Sequence, residues 1–307
     1  MGACPKGLLL RWVGAAVGAL PAAWVPRLGG WLSRIGPLTR RRARIAGRNL
    51  ELAFPGLGPA ARERLLHATL ASNTTGALDT LCAWFAPPYR LRGTADIEGL
   101  DLLAAALREG RGAVLVGAHY DGIEMAIRLV AEAARATHGV RSGVLVRRHN
   151  DPCIEAVIDA GRTRYVDLTI DKKDVSRFAG VVQDGSAVFY VPDQDASRRN
   201  AFVPFFGVPA STLAAIPGVL RRSGGVPLLF WCRRVGDGRF SIDIARAPED
   251  FLEGADADVA ARYMAWVERR ARQSPEQYLW VHRRFKTRPP GEPDLYGRER
   301  SARSPSP

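Results

Sequence analysis

Cysteine is scarce and scattered in this sequence. Cys4, Cys82, Cys153 and Cys232 form no C-x-x-C pair and have no histidine at ligand spacing. That pattern excludes a zinc finger or ribbon, which needs closely spaced ligand pairs. A disulfide framework is out of place in a chain of 307 residues, which can bury an adequate core without one. The four cysteines are therefore expected as reduced, mostly buried thiols in a cytosol-facing protein. His67, His138 and His149 also lack metal partners at useful spacing. G-x-S-x-G, Walker A, H-E-x-x-H and a G-x-G-x-x-G after a strand are all missing, so nothing points to a covalent intermediate.

Acidic residues are absent from the first 48 positions, which hold nine cations: Lys6, Arg11, Arg27, Arg34, Arg40, Arg41, Arg42, Arg44 and Arg48. This stretch carries +9 of the net charge of +13, and the rest of the chain is close to balanced. A basic end of this kind suits an anionic membrane surface or nucleic acid. A long uninterrupted apolar run is missing too. "GLLLRWVGAAVGALPAAWVPRLGGWL" is apolar and edged by Trp12, Trp24 and Trp31, but Arg11 and Pro21 interrupt it. It is a poor match to the roughly 20 residues that a bilayer span needs. "LPAAW" faintly imitates a signal cleavage site, yet the basic "RRRAR" that follows is the mark of a cytosolic flank. Residues 1–36 are therefore read as a membrane anchor or a segment lying in the headgroup layer, with a buried N-terminal core helix as the alternative.

What is present is an alternation. Helical patterns fill Thr39 to about Ala86, broken at Pro55. Strand candidates follow at Gly112–Ala118, Gly143–Val146, Tyr165–Ile170, Ala187–Val191, Pro227–Trp231 and Phe240–Ile244. Helical stretches separate most of them, at Pro152–Thr163, Lys172–Gln183, Ser211–Ser223 and Ala255–Arg272, with a last helix expected over "PEQYLWVHRRF". This order predicts an α/β fold with a mainly parallel central sheet flanked by helices. Residues 37–297 are read as a single domain and 298–307 as a loose polar tail.

Ligands of open α/β sheets bind beyond the carboxyl ends of strands. His119 stands there, after "AVLVGA", with Glu124 five residues on, in the first turn of the next predicted helix. A carboxylate bonded to one ring nitrogen would leave the other free to take a proton. A buried core histidine explains the same spacing. Asp193 and Asp195 close another strand in "VPDQD" and could share a mouth with His119. A D-x-D pair also suits a metal-held sugar nucleotide, which keeps a glycosyltransferase open, and a solvated turn is the plain reading. "FVPFFGVPAST" could line an acyl chain or belong to the core. Arg147 and Arg162 carry forks suited to phosphate, or simply face solvent.

Together these stretches resemble the late, or secondary, acyltransferases of lipid A biosynthesis, the lauroyl and myristoyl transferases. The resemblance rests on "RRRARIAGRNLELAFPGL", "AVLVGAHYDGIE", "RRHNDPCIEAVIDAGR", "VFYVPDQD" with "FVPFFGVPAST", and "PEQYLWVHRRFKTRPPG", in order from about residue 40 to 297. It implies a glycerolipid-acyltransferase-like fold and acyl transfer from acyl carrier protein to a 3-hydroxyacyl hydroxyl of a lipid A precursor. His119 would be the general base and Glu124 its orienting carboxylate, with Arg162, Asp193 and Arg147 binding substrate. The resemblance implies no metal and no cofactor beyond the carrier's own phosphopantetheine, and no nucleic-acid partner. The place implied is the bacterial inner membrane, with the catalytic domain on its cytoplasmic face. Many members read H-F-G-N-W-E where this chain reads H-Y-D-G-I-E, so acceptor position and chain length stay open. A branch acylating phosphoinositide mannosides from acyl-CoA shares the H-x4-D/E device and is the alternative.

Overall fold

The computed structural model describes residues 4–297. The expected tail at 298–307 lies outside the described residues. Four helices come first: α1 (Pro5–Gly18), α2 (Trp24–Leu32), α3 (Gly36–Ala53) and α4 (Pro59–Phe85). Pro5, Pro37 and Pro59 each sit in a first turn, where a missing N–H costs nothing. Pro21 falls in the break between α1 and α2. No described helix is long and apolar enough to cross a membrane. Both short helices dock instead on α4, and small residues allow the approach. A Cβ at Gly14 would collide with the Phe85 ring, and one at Gly29 with Thr75.

The sheet follows, built from β1 (Ala95–Glu98), β2 (Ala113–Val116), β3 (Ser142–Val146), β4 (Leu168–Asp171) and β5 (Ala187–Tyr190). A separate hairpin, β6 (Asn200–Phe205) and β7 (Val208–Leu213), precedes the long pair β8 (Val226–Gly236) and β9 (Arg239–Arg246). Helices α5 (Asp101–Arg108), α6 (Ile123–His138), α7 (Pro152–Arg162), α8 (Val175–Gln183) and α9 (Ile216–Ser223) lie between strands, and α10 (Asp256–Gln273) follows β9. Strand order is β1-β9-β8-β2-β5-β3-β4. Every pairing is parallel except β8 with β9. The expected mainly parallel sheet is therefore present. Strands β2 and β5 are buried along their whole length, as both-face coverage by helices requires.

Three expectations differ, whereas the reading of "FVPFFGVPAST" as core holds: it forms the β6–β7 hairpin. Its turn places Phe206 and Gly207 at positive φ of 52° and 76°, which matches the twist of the flanking strands. Phe205 and Phe206 are buried against Phe54 and Trp280. Helix α9 accordingly starts at Ile216, not Ser211. The last expected helix is a single 3-10 turn, Pro275–Gln277, followed by irregular chain. Finally, Cys4 and Cys153 are joined as a disulfide with Cα atoms 6.2 Å apart, tying the start of α1 to the start of α7. Sequence spacing could not reveal that pairing, because 149 residues separate the partners. Cys82 and Cys232 are buried free thiols.

Candidate active site

Register brings the site together. Val116 at the end of β2 lies opposite Tyr190 at the end of β5, and the Gly117 N–H extends the ladder to the Tyr190 carbonyl. His119 stands three residues past Val116, and Asp193 three past Tyr190. Two parallel strands in register therefore deliver the imidazole and the carboxylate side by side. His119 Nδ1 lies 2.5 Å from Asp193 Oδ1, and the His119 N–H donates to Oδ2 at 3.0 Å. The Tyr278 hydroxyl donates to the same Oδ2 at 3.1 Å. Asp193 is 1% exposed, whereas the His119 side chain is 27% exposed. Burial pushes the Asp193 carboxyl up, but the facing His119 ring and its hydrogen bonds, with help from Arg284, hold it below its ordinary value. A carboxylate so held keeps the proton on Nδ1. Nε2 then carries the lone pair, and it has no hydrogen-bond partner among the described residues.

The C-terminal segment fixes this pair. Tyr120 and Tyr278 form an antiparallel bridge. Leu279 N–H donates to the His119 carbonyl, and Asp121 N–H to the Gln277 carbonyl. Gln277 also clamps the Arg234 backbone on both sides, at 2.7 and 3.1 Å. From α10 the Tyr263 hydroxyl reaches the Gly117 carbonyl at 2.6 Å. These demands arrive from several directions, so the segment gives up a helix's internal bonds for bonds to strand ends.

Glu124, expected to orient His119, does something else. Its carboxylate takes a fork from Arg162, Nε at 2.6 Å and Nη2 at 2.9 Å, with Tyr165 OH at 2.6 Å and Trp84 Nε1 at 3.0 Å. Burial pushes Glu124 up, but Arg162 and these donors bring it below the usual carboxylate range. The reason is geometric. The chain turns through Asp121-Gly122 before α6 begins, and the first turn of α6 faces α4 and α7 rather than the ring. Glu124 locks three helices together, and His119 is oriented by Asp193. Arg162, expected at the substrate, spends its fork on Glu124. Arg147 is exposed beyond β3, two strands from β2, and makes no ion pair among the described residues.

The D-x-D pair is split between two tasks. Asp195 accepts from Thr287 N–H and Oγ1, both at 2.9 Å, and its own N–H donates to His282 Nε2 at 3.2 Å. Both carboxylates therefore hold protein donors. The described residues contain no cluster of His, Cys, Asp and Glu able to hold a metal ion. Sequence reading missed Tyr278 and His282 as site residues, although both lie in the C-terminal block that is most distinctive. Trp84 and Tyr165 had no signal at all.

Beside the site lies a second buried polar group. Asp121 accepts from Asn73 at 3.1 Å, and its other oxygen has no partner. Burial raises its pKa to about 7, against the opposing pull of nearby Ser72 and Asn73 and the charge of Arg234. Arg234 itself pairs with buried Asp79.

The model of the bacterial lipid A biosynthesis acyltransferase family matches residues 8–287. A lipid A biosynthesis palmitoleoyltransferase of Escherichia coli K12 is 35% identical over 266 residues, covering 85% of this chain and 84% of its own. The lauroyltransferase of the same organism is 34% identical over 296 residues, 94% of each chain. The myristoyltransferase is 28% identical over 280 residues, covering 89% and 83%. Identity of this extent, over a chain whose paired strands present His119 and Asp193 together, settles the kinship. The chain belongs to the bacterial lipid A biosynthesis acyltransferase family.

Proposed function

We propose that this protein transfers a fatty acyl group from acyl carrier protein to a 3-hydroxyacyl hydroxyl of a lipid A precursor. The observation that carries the mechanism is the buried Asp193 on Nδ1 of a half-open His119, with Nε2 left to face the acceptor. The acceptor hydroxyl attacks the thioester carbonyl as Nε2 takes its proton. The carbon–sulfur bond then breaks, and the thiolate of the carrier leaves and recovers that proton from the imidazolium. Base assistance of this kind contributes roughly 10²- to 10⁴-fold. Asp193 fixes the tautomer and stabilises the imidazolium. Glu124 and Arg162 act at one remove, by holding α6 and so the 119–122 loop that precedes it.

The substrates suit the surface. Leu8, Leu9, Trp12, Val13, Trp24 and Trp31 are exposed on α1 and α2, with Trp12 at 75%. Apolar faces with tryptophan beside a basic segment favour a helix lying in the interface of an anionic bilayer. The chain is therefore proposed to sit on the cytoplasmic face of the inner membrane without spanning it.

The test is transfer from lauroyl, myristoyl and palmitoyl carrier-protein donors to a tetraacylated precursor, read by mass spectrometry beside acyl-CoA donors. A product heavier by one acyl group with the carrier donor supports the proposal. Product from acyl-CoA alone removes the carrier, and no product from any donor removes the acceptor.

A further inference from the structure

A basic cavity of about 350 Å³ lies between α3 and the C-terminal segment, lined by none of the residues used for chemistry. Its wall is α3 on one side and the stretch around residues 283 and 294–297 on the other. Three arginines line it, Arg44, Arg48 and Arg283, against one carboxylate, Asp294. These four residues carry a surplus of two positive charges, of which the one on Arg48 is shared with Glu51 outside the lining. Arg44 and Arg48 are four apart on α3 and so share a face, and Arg41 extends that row by another turn.

The cavity is built rather than accidental. Arg48 Nε donates to the Leu295 carbonyl at 2.7 Å, and its Nη1 to Glu51 at 2.8 Å, while Nη2 has no partner among the described residues. The Arg283 guanidinium lies 5.7 Å from the centre of the Tyr296 ring. Tyr296 is itself held by Asn49 at 2.5 Å and by the Phe285 N–H at 3.0 Å. Asp294 Oδ1 accepts the Tyr296 N–H at 2.9 Å. Arg44 has no ion-pair partner among the described residues and is exposed. Guanidinium forks held on a fixed wall match phosphate oxygens. A monoester phosphate supplies the best counterpart, with a charge of roughly −1.5 to −2 and three acceptor oxygens. The volume leaves room for a phosphate and part of the group that bears it.

We propose that the Arg44–Arg48–Arg283 cavity binds a phosphate monoester carried on a lipid headgroup. Arg283 directly follows His282, whose Nε2 accepts from Asp195, two residues beyond Asp193. The cavity wall is thus tied to the reacting pair through His282 and Asp195. That this headgroup belongs to the acyl acceptor rests on the function proposed above, whereas the phosphate chemistry does not.

The full chain is assayed for co-flotation with phosphatidylcholine vesicles doped with phosphatidic acid, a monoester, or with phosphatidylglycerol, a diester, at matched charge. The wild type is expected to prefer the monoester by about tenfold, the worth of one good charge-assisted contact. Arg44→Gln/Arg283→Gln, checked for an unchanged melting temperature, should lose that preference. Arg44→Glu alone is a second variant, on an exposed helix face where folding is not at risk. Arg108→Gln/Arg177→Gln, on exposed helix surfaces elsewhere, should keep it. Calorimetry with inorganic phosphate separates the sources. Binding as tight as to the doped vesicles would make free phosphate the ligand and overturn the lipid headgroup. No monoester preference in the wild type, or one that survives in both cavity variants, would overturn the site. Preference with no acyl transfer would leave the site standing and remove only the acceptor.

Discussion

Asp193→Asn separates the two carboxylates that compete for the role of orienter. Asparagine keeps the shape but replaces one oxygen by an NH2. At the Oδ2 position that group would face the His119 backbone N–H, a donor that cannot turn away. At the Oδ1 position it would face Nδ1, a ring atom that can become an acceptor by moving its proton. The second arrangement costs less, and it leaves the proton on Nε2, where the lone pair is needed. The imidazolium also loses its counter-charge. At about 4 Å and an effective dielectric of about 20, that attraction is worth roughly 4 kcal/mol, or about 10³-fold in rate. The expected result is a kcat about 10³-fold lower, the acceptor KM within about threefold, and a melting temperature within a few degrees. Single-turnover transfer followed by mass spectrometry, with melting curves alongside, provides both readings. Retention of more than about a tenth of the wild-type kcat would refute the assignment of Asp193 as orienter.

Three further outcomes follow from the same contacts. Glu124→Gln should destabilise the fold by about 3 kcal/mol, because it leaves the largely buried Arg162 charge without its counter-charge, and Arg162→Met in the same chain should restore part of that in denaturant melts. Equal losses from Glu124→Gln in the presence and absence of Arg162 would remove the lock. Asp121 carries a folded pKa raised from 3.8 to about 7, so the unfolded chain ionises first and stability falls as pH rises through that window. Asp121→Asn should therefore raise the melting temperature more at pH 8 than at pH 4, and an equal gain at both would show that the carboxyl is not held protonated. Replacing Trp12, Trp24 and Trp31 by serine should weaken vesicle binding about a thousandfold or more, at roughly 1.5 kcal/mol or more for each ring; sedimentation with anionic vesicles measures it, and unchanged binding would place the membrane contact elsewhere.

Much of this site could be read from the sequence because strands of a parallel sheet end on one side. "AVLVGAH" and "VFYVPD" each advertise a buried strand followed by a polar residue, and the register of β2 with β5 makes those two residues neighbours. What could not be read is which carboxylate faces the ring. Spacing along one segment favoured Glu124, but the contact is made between segments 74 residues apart. The β6–β7 hairpin was hidden for another reason. Its Phe-Gly turn lacks the usual Asn or Asp, and prolines at 204 and 209 mask the alternation. The C-terminal block was legible as distinctive and illegible as structure, since its order comes from bonds to distant strand ends. The Cys4–Cys153 bridge likewise belongs to tertiary contact between α1 and α7.

The central claim is that His119 removes the acceptor proton. Purified His119→Ala, with its backbone bonds to Asp193 and Leu279 retained, should fold like the wild type. Its single-turnover rate of acyl transfer at saturating donor and acceptor should fall by about 10³-fold or more. Transfer at a rate near that of the wild type would contradict the account.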